Sequence, residues 1–247
     1  MKHALLAVSA AAALAVVTAP AYAGNLLTNG NFETGDFTGW STNVQSGSGG
    51  NLSIAPNNGG NSPISGFPYA LNPGGGNFFA ITDQGGPGSY SLTQSFTLTS
   101  AATVDVSFDF FANDQAGVID STPPNRDFTV SPNQNAEVDI LTGGADAFTT
   151  TPSDIVATLY GPGADCLSCN PNPWVTYFQP LSLAAGTYQI RFAETDNQLF
   201  FQMGVDNVSV STTVPEPATW AMMMVGFAGL GYAGLRHKQK RPASTLA

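Results

Sequence analysis

The chain has 247 residues, only 10 % of them charged, and a formal net charge of −10 at pH 7. Between residues 24 and 213 the imbalance sharpens: two arginines, Arg126 and Arg191, stand against sixteen carboxylates, a net charge of −14, with no lysine or histidine. That excludes Ser-His-Asp triads, Schiff-base chemistry and histidine-ligated zinc over this stretch, and it repels nucleic-acid phosphates and anionic lipid.

The first 23 residues are set apart. Lys2 and His3 precede an alanine-rich apolar run, Ala4 to Val17, and Ala21-Tyr22-Ala23 forms a small-x-small cleavage site. This is the pattern of a secretory signal peptide, cut before Gly24 by signal peptidase after export through the Sec machinery. Residues 24–213, about 190 in all, suit one domain with a sizeable core. The domain opens on "NLLTNGNFETGDFTGW", where Asn29-Gly30 is a strong turn pair. Phe32 and Trp40 can anchor it in a core, and Glu33 falls beside the first strand.

Beyond that point short alternating runs follow one another, separated by Gly, Pro, Asn, Ser and Thr. "NFFAITD" from Asn77 is a candidate strand. In "SYSLTQSFTL", Tyr90, Leu92, Phe96 and Leu98 share a face. In "ATVDVSFDFF", Val104, Val106, Phe108 and Phe110 face one way and Asp105, Ser107 and Asp109 the other. "NAEVDILTG" from Asn135 and "WVTYFQPLSL" from Trp174 are further candidates. In "GTYQIRFAE", Tyr188, Ile190 and Phe192 alternate with Gln189, Arg191 and Ala193. A period of two means half-buried antiparallel strands, and many of them with polar turns imply an all-β sandwich. In the last run, Phe201, Met203 and Val205 are odd while Val208 and Val210 are even. A β-bulge at Asp206-Asn207 restores the register and re-aims the aspartate.

Two long loops are expected, Gly47–Gly76 and Ala112–Asn133, the usual place for binding on a rigid sandwich. "NPGGGN" and "GGPGSY" are glycine-rich, but no helix follows either to make an anion site. Cys166 and Cys169 in "DCLSCNPNPW" are too few for a zinc site; in an exported chain they form a loop-stapling disulfide. Exposed aromatic candidates for sugar stacking are Phe67, Tyr69, Trp174 and Tyr177, each also able to serve as a loop anchor or core residue.

The opening "NLLTNGNFETGDFTGW", the closing "VDNVSV", and "SLTQSFTL", "VSFDFFAND" and "LAAGTYQIRF" between them resemble galactose-binding-like jelly rolls, the architecture of many carbohydrate-binding modules. The resemblance implies an antiparallel jelly-roll β-sandwich over 24–213 and a noncatalytic, carbohydrate-associated role. It also implies a structural calcium held by Glu33 and Asp206. A structural envelope protein without a glycan ligand is the alternative. A carboxylate-pair glycosidase is a further one, since any domain this acidic presents such pairs by chance.

The chain ends on "VPEPATWAMMMVGFAGLGYAGLRHKQKR". Residues 218–235 make about 27 Å of helix, close to the ~30 Å of a bilayer core. Arg236, Lys238, Lys240 and Arg241 follow as a stop that places the C-terminus in the cytoplasm. Hydrophobicity alone describes a permanent transmembrane anchor. The order of triplet, apolar helix and basic cluster resembles the PEP-CTERM sorting signal in its PEPxxWA variant, at Pro215, Glu216, Pro217, Trp220 and Ala221. That resemblance implies a Gram-negative, exopolysaccharide-producing setting. The precursor would be tethered at the inner membrane, processed by an exosortase, and passed to the cell surface or extracellular matrix.

Overall fold

The computed structural model describes residues 24–114, 125–161, 173–198, 200–212 and 217–238. The signal peptide (1–23), Cys166, Cys169, Pro215, Glu216, Lys240 and Arg241 lie outside the described residues.

Among the described residues, ten strands form two five-stranded antiparallel sheets. In chain order they are β1 (Ser41–Val44), β2 (Gly50–Pro56), β3 (Phe78–Gln84), β4 (Gly88–Leu98), β5 (Ala102–Asp114), β6 (Gln134–Thr142), β7 (Ile155–Tyr160), β8 (Val175–Leu183), β9 (Gly186–Asp196) and β10 (Phe201–Thr212). One sheet has the order β1-β4-β9-β6-β7 and the other β2-β3-β10-β5-β8. This is the β-sandwich that the alternation implies.

The core follows the period of two. Leu92, Phe96, Val138, Ile140, Ile190 and Phe192 of the first sheet meet Val104, Val106, Phe108, Phe110, Met203 and Val205 of the second. Phe108 stands edge-on to Phe192, ring centroids 5.3 Å apart. Each such ring, fully buried, contributes up to about 3 kcal/mol. The first and last segments of the domain meet: Leu26 N–H donates to Val210 O (2.7 Å) and Val208 N–H to Gly30 O (2.8 Å). The bulge in β10 is present. Its register against β5 shifts between Asp206 and Ser209, with Asn207 at φ +49.

Three strands go beyond the sequence reading: β1, β2 and β7. β2 lies inside the expected loop 47–76, where Asn, Gly and Pro on both sides hide a strand that buries Leu52 and Ala55.

The outer faces differ more. They are covered over much of their area rather than fully solvated. Ala55, Phe79, Ile81 and Phe111 form a second cluster with Tyr69, closed by Trp174. The segment 57–77 covers it. The Asp83 carboxylate accepts from Ile64 N–H (2.5 Å) and Ser65 N–H (2.8 Å), and the Trp174 indole donates to Ala70 O (2.8 Å). On the first sheet Arg191, expected on the polar face, is fully buried. Loops from distant parts of the chain act as extra layers, so alternation marks which face a residue is on but not whether that face is wet.

The tail helix, α1 (Pro217–Lys238), belongs to a unit separate from the sandwich, Ala23–Thr213. It contains the whole predicted segment 218–235. Met222, Met223, Met224, Val225, Phe227, Leu230 and Tyr232 are exposed. Among the described residues no helix is long and apolar enough to cross a membrane.

Candidate functional site

The two expected metal ligands reach one place. Asn29 (φ +51) and Phe32 (φ +52) curl the opening segment into successive turns. Phe32 turns inward against Trp40, centroids 5.4 Å apart, which leaves the next side chain, Glu33, at the rim. Glu33 Oε1 accepts from Asn77 N–H (2.6 Å) and Phe78 N–H (3.0 Å), and Oε2 from Asn77 Nδ2 (2.8 Å). The Phe78 backbone bond, then the Asn77 amide, hold this carboxyl below its ordinary range.

Asp206 is brought inward by the bulge and is fully buried. Its Oδ1 accepts from Asn207 N–H (2.7 Å) and its Oδ2 from Asn72 Nδ2 (3.0 Å). Desolvation pushes it up to about 7 against those hydrogen bonds, and the charges of Asp109 and Glu33 act in the same direction.

Asp109 is the member that the sequence reading missed. It sits opposite Asp206 in the β5–β10 register. Its Oδ2 accepts from Asn72 Nδ2 (3.1 Å) and Asn207 Nδ2 (2.8 Å), and its Oδ1 from Thr176 Oγ1 (2.6 Å). The expectation that it faces solvent is corrected: segment 72–77, "NPGGGN", lies over it. A β-carbon on Gly75 would strike Asp206 Oδ2, and one on Gly76 the Glu33 carboxylate. Two adjacent glycines thus let one loop seat on carboxylates from the first and last parts of the domain.

This donor set is all oxygen, the kind that a hard cation prefers. Among the described residues, no group of three or more His, Cys, Asp or Glu side chains is placed to hold a metal ion. A cation here would draw on Glu33 and Asp206 with backbone carbonyls and water.

The domain's two cations are used elsewhere. Arg191 donates to Asp139 through Nη2 (2.6 Å) and Nε (3.2 Å), and to Thr149 O through Nη1 (2.7 Å). Arg126 pairs with Glu137 and Asn135. Both guanidinium groups are buried. No lysine or arginine of residues 24–213 is therefore left to meet an anionic ligand.

The aromatic candidates are corrected in part. Tyr69 is buried, and Trp174 and Tyr177 are half-buried. Trp174 packs edge-on against Phe79 and Phe111, and Tyr177 stacks on Phe108. These are loop and core anchors. Phe67 remains half-exposed and pairs with Phe200, centroids 4.4 Å apart. Sequence reasoning did not single out Phe200, 40 % exposed, or Phe178, 64 % exposed on β8. An aromatic beside a strand reads as core until its face is known.

In the tail, Pro217 opens α1, where its missing N–H and fixed φ suit a first helical position. Trp220, Ala221, Arg236 and Lys238 also lie within this helix. Residues 213–239 match the family profile of the PEP-CTERM protein-sorting motif. The chain carries a PEP-CTERM sorting signal. Apart from this match, a search of curated proteins finds nothing similar.

Among solved structures, the fold is similar to that of the carbohydrate-binding module TmCBM61, determined with β-1,4-galactotriose. Identity is 13 % and the TM-score 0.47, over 76 % of this chain and 99 % of that one. It is also similar to Family 16 Carbohydrate Binding Module-2 (15 % identity, TM-score 0.41, 75 % and 99 % covered). A third is the K1 cleaved adhesin domain of Lys-gingipain from Porphyromonas gingivalis W83 (13 %, TM-score 0.43, 71 % and 92 %). Each is a likeness of fold.

Proposed function

We propose that this PEP-CTERM chain is an exported, noncatalytic surface or matrix protein whose sandwich associates with neutral exopolysaccharide. The tail that carries the sorting motif keeps the precursor at the inner membrane, as such a signal implies, until an exosortase cuts near Pro215-Glu216-Pro217. The observation that carries this reading is the sorting motif at 213–239, which begins where β10 ends at Thr212. A sorting signal joined almost directly to the last strand leaves the sandwich as the part delivered. A calcium ion at Glu33 and Asp206 belongs to the same reading, as a tie between the two ends of the domain.

Processing is tested by intact mass of the protein from cells with and without an exosortase. The expected mature chain starts at Gly24 and ends before the apolar helix, and only in exosortase-positive cells. A surface form that keeps Arg236–Arg241 overturns the sorting half of the proposal.

The glycan half is tested by affinity electrophoresis through gels containing neutral polysaccharides. Retardation in at least one gel, relative to a polymer-free gel, is expected. Unchanged mobility in all of them favours a structural envelope protein instead.

A further inference from the structure

At one end of the sandwich the inward-facing positions change character. Along β9 the series Ile190, Phe192 continues as Glu194, Asp196. On β3 Ala80 gives way to Thr82 and Gln84, on β5 Ala112 to Asp114, and on β6 Val138 and Ala136 to Gln134. All of these polar residues are buried. They pair between sheets: Thr82 with Glu194, Gln84 Nε2 with Asp196 Oδ2 (3.0 Å), and Gln134 Nε2 with Asp114 Oδ1 (2.7 Å).

A sandwich end needs no such interior for stability, because buried polar groups cost free energy unless every one is satisfied. Among the described residues, the Gln84 amide oxygen, in a residue 1 % exposed, accepts no hydrogen bond.

A cavity of about 180 Å³ opens directly beside this cluster, with Asp196 in its wall. The glycine turn Gly85-Gly86 that follows Gln84 forms another wall, and Gln198 and Phe200 complete it. The Phe200 ring is backed by Phe67. Asn197 fixes the rim: its Nδ2 donates to Phe128 O (2.6 Å) and Val130 O (2.7 Å), and its Oδ1 accepts from Asn133 N–H (2.8 Å). Gln198 donates through Nε2 to Asn197 Oδ1 (2.7 Å) and Ser131 Oγ (2.9 Å), which orients its amide and leaves the amide oxygen to accept from a ligand hydroxyl.

We propose that this cavity is a subsite for a single neutral sugar ring, with Phe200 stacking on the ring's C–H face and Gln198 and Asp196 taking its hydroxyls. The proposal rests on the glycan-associated reading above and adds the place and the ligand class.

Three features select that class. The cavity is smaller than the ~300–1,000 Å³ of pockets for larger ligands, so it admits one ring at a chain end or branch. An aromatic face beside amide and carboxyl groups matches a sugar's apolar and hydroxyl sides. No cation is available to pair with a uronate, sulfate or phosphate, since Arg126 and Arg191 are consumed by Glu137, Asn135 and Asp139. Burial pushes Asp196 up to about 7, so its carboxyl can donate to as well as accept from a hydroxyl.

The test is calorimetric titration of the purified protein with neutral gluco-, galacto- and manno-oligosaccharides and with an oligouronate. Variants F200A and Q198A are compared with F178A, which removes an exposed phenylalanine of β8 that does not line the cavity. Melting curves should match the parent for all three, since each changes an exposed or rim side chain. The expected result is binding to at least one neutral series, none to the oligouronate, and a loss of about tenfold or more for F200A and Q198A. F178A should be unaffected. Parent-like sugar binding by F200A overturns the subsite while leaving the glycan reading intact. Failure of the parent to bind any neutral series overturns both.

Discussion

Replacing Arg191 with methionine should cost the sandwich about 3–5 kcal/mol, enough to take a marginally stable domain to the edge of unfolding. The guanidinium is fully buried on the outer face of the first sheet. It donates to Asp139 Oδ2, to Thr149 O and, at 3.4 Å, to Ala147 O. Glu137 Oε2 lies 3.8 Å from it. Methionine fills much of the volume but makes none of these bonds. Asp139 would keep Thr158 Oγ1 (2.9 Å) and lose its counter-charge while remaining fully buried. The carbonyls of the 143–154 loop would lose their donor as well, so the loop should loosen from the sheet.

The measurement is the urea midpoint of Arg191→Met and of the double variant Arg191→Met, Asp139→Leu. The single variant should fall sharply. The double should recover much of the loss, because a hydrophobic pair of similar volume often equals or exceeds a buried ion pair in stability. A single variant within about 1 kcal/mol of the parent would show that the outer face is wetter than the packing indicates.

This pairing marks the limit of what the sequence reveals. The alternation around Leu92, Phe108 and Phe192 is legible because each core residue is decided within its own strand. The bulge is legible too, since the change from Val205 to Val208 is a local break in parity. Arg191 and Asp109 have the same alternation, which places them on the face away from the apolar residues and says nothing of what covers it. Their burial depends on residues 143–154 and 72–77, which reach them across dozens of positions and leave no periodic mark.

β2 failed for the opposite reason. Leu52 and Ile54 are correct strand residues, but the Asn and Gly around them read as loop. The candidate calcium site was half legible: Glu33 and Asp206 came from a family resemblance, whereas Asp109 required the β5–β10 register. Phe200 required the exposure of its ring, which no spacing encodes.

Calcium should raise the thermal midpoint of the sandwich, and a chelator should lower it. At a free concentration of ~100 Kd, a ligand that binds only the folded state adds about 2.7 kcal/mol. The sign follows from the site. Asp206 is buried opposite Asp109, and its charge is resisted by desolvation. A cation would supply the opposing charge that Asn72 and Asn207 now offer only as amide dipoles. Because Glu33 precedes β1 and Asp206 lies within β10, the ion would bind only when both ends of the domain are in place. Its binding free energy would therefore appear as folding free energy.

Nonspecific binding to a domain of charge −14 must be separated from this. Asp206→Asn keeps the shape and the bond from Asn72, and should remove most of the calcium-dependent shift. Asp105→Asn, on the same strand as Asp109 but outside the site, should leave it unchanged. Gly76→Ala should reduce the shift by pushing the 72–77 loop off Glu33. Magnesium should substitute poorly, since it demands tighter octahedral geometry than a loop of carbonyls and two carboxylates offers. Identical melting of chelated and calcium-loaded protein would remove the ion from the account, leaving Asn72 and Asn207 as the groups that hold Asp109 and Asp206.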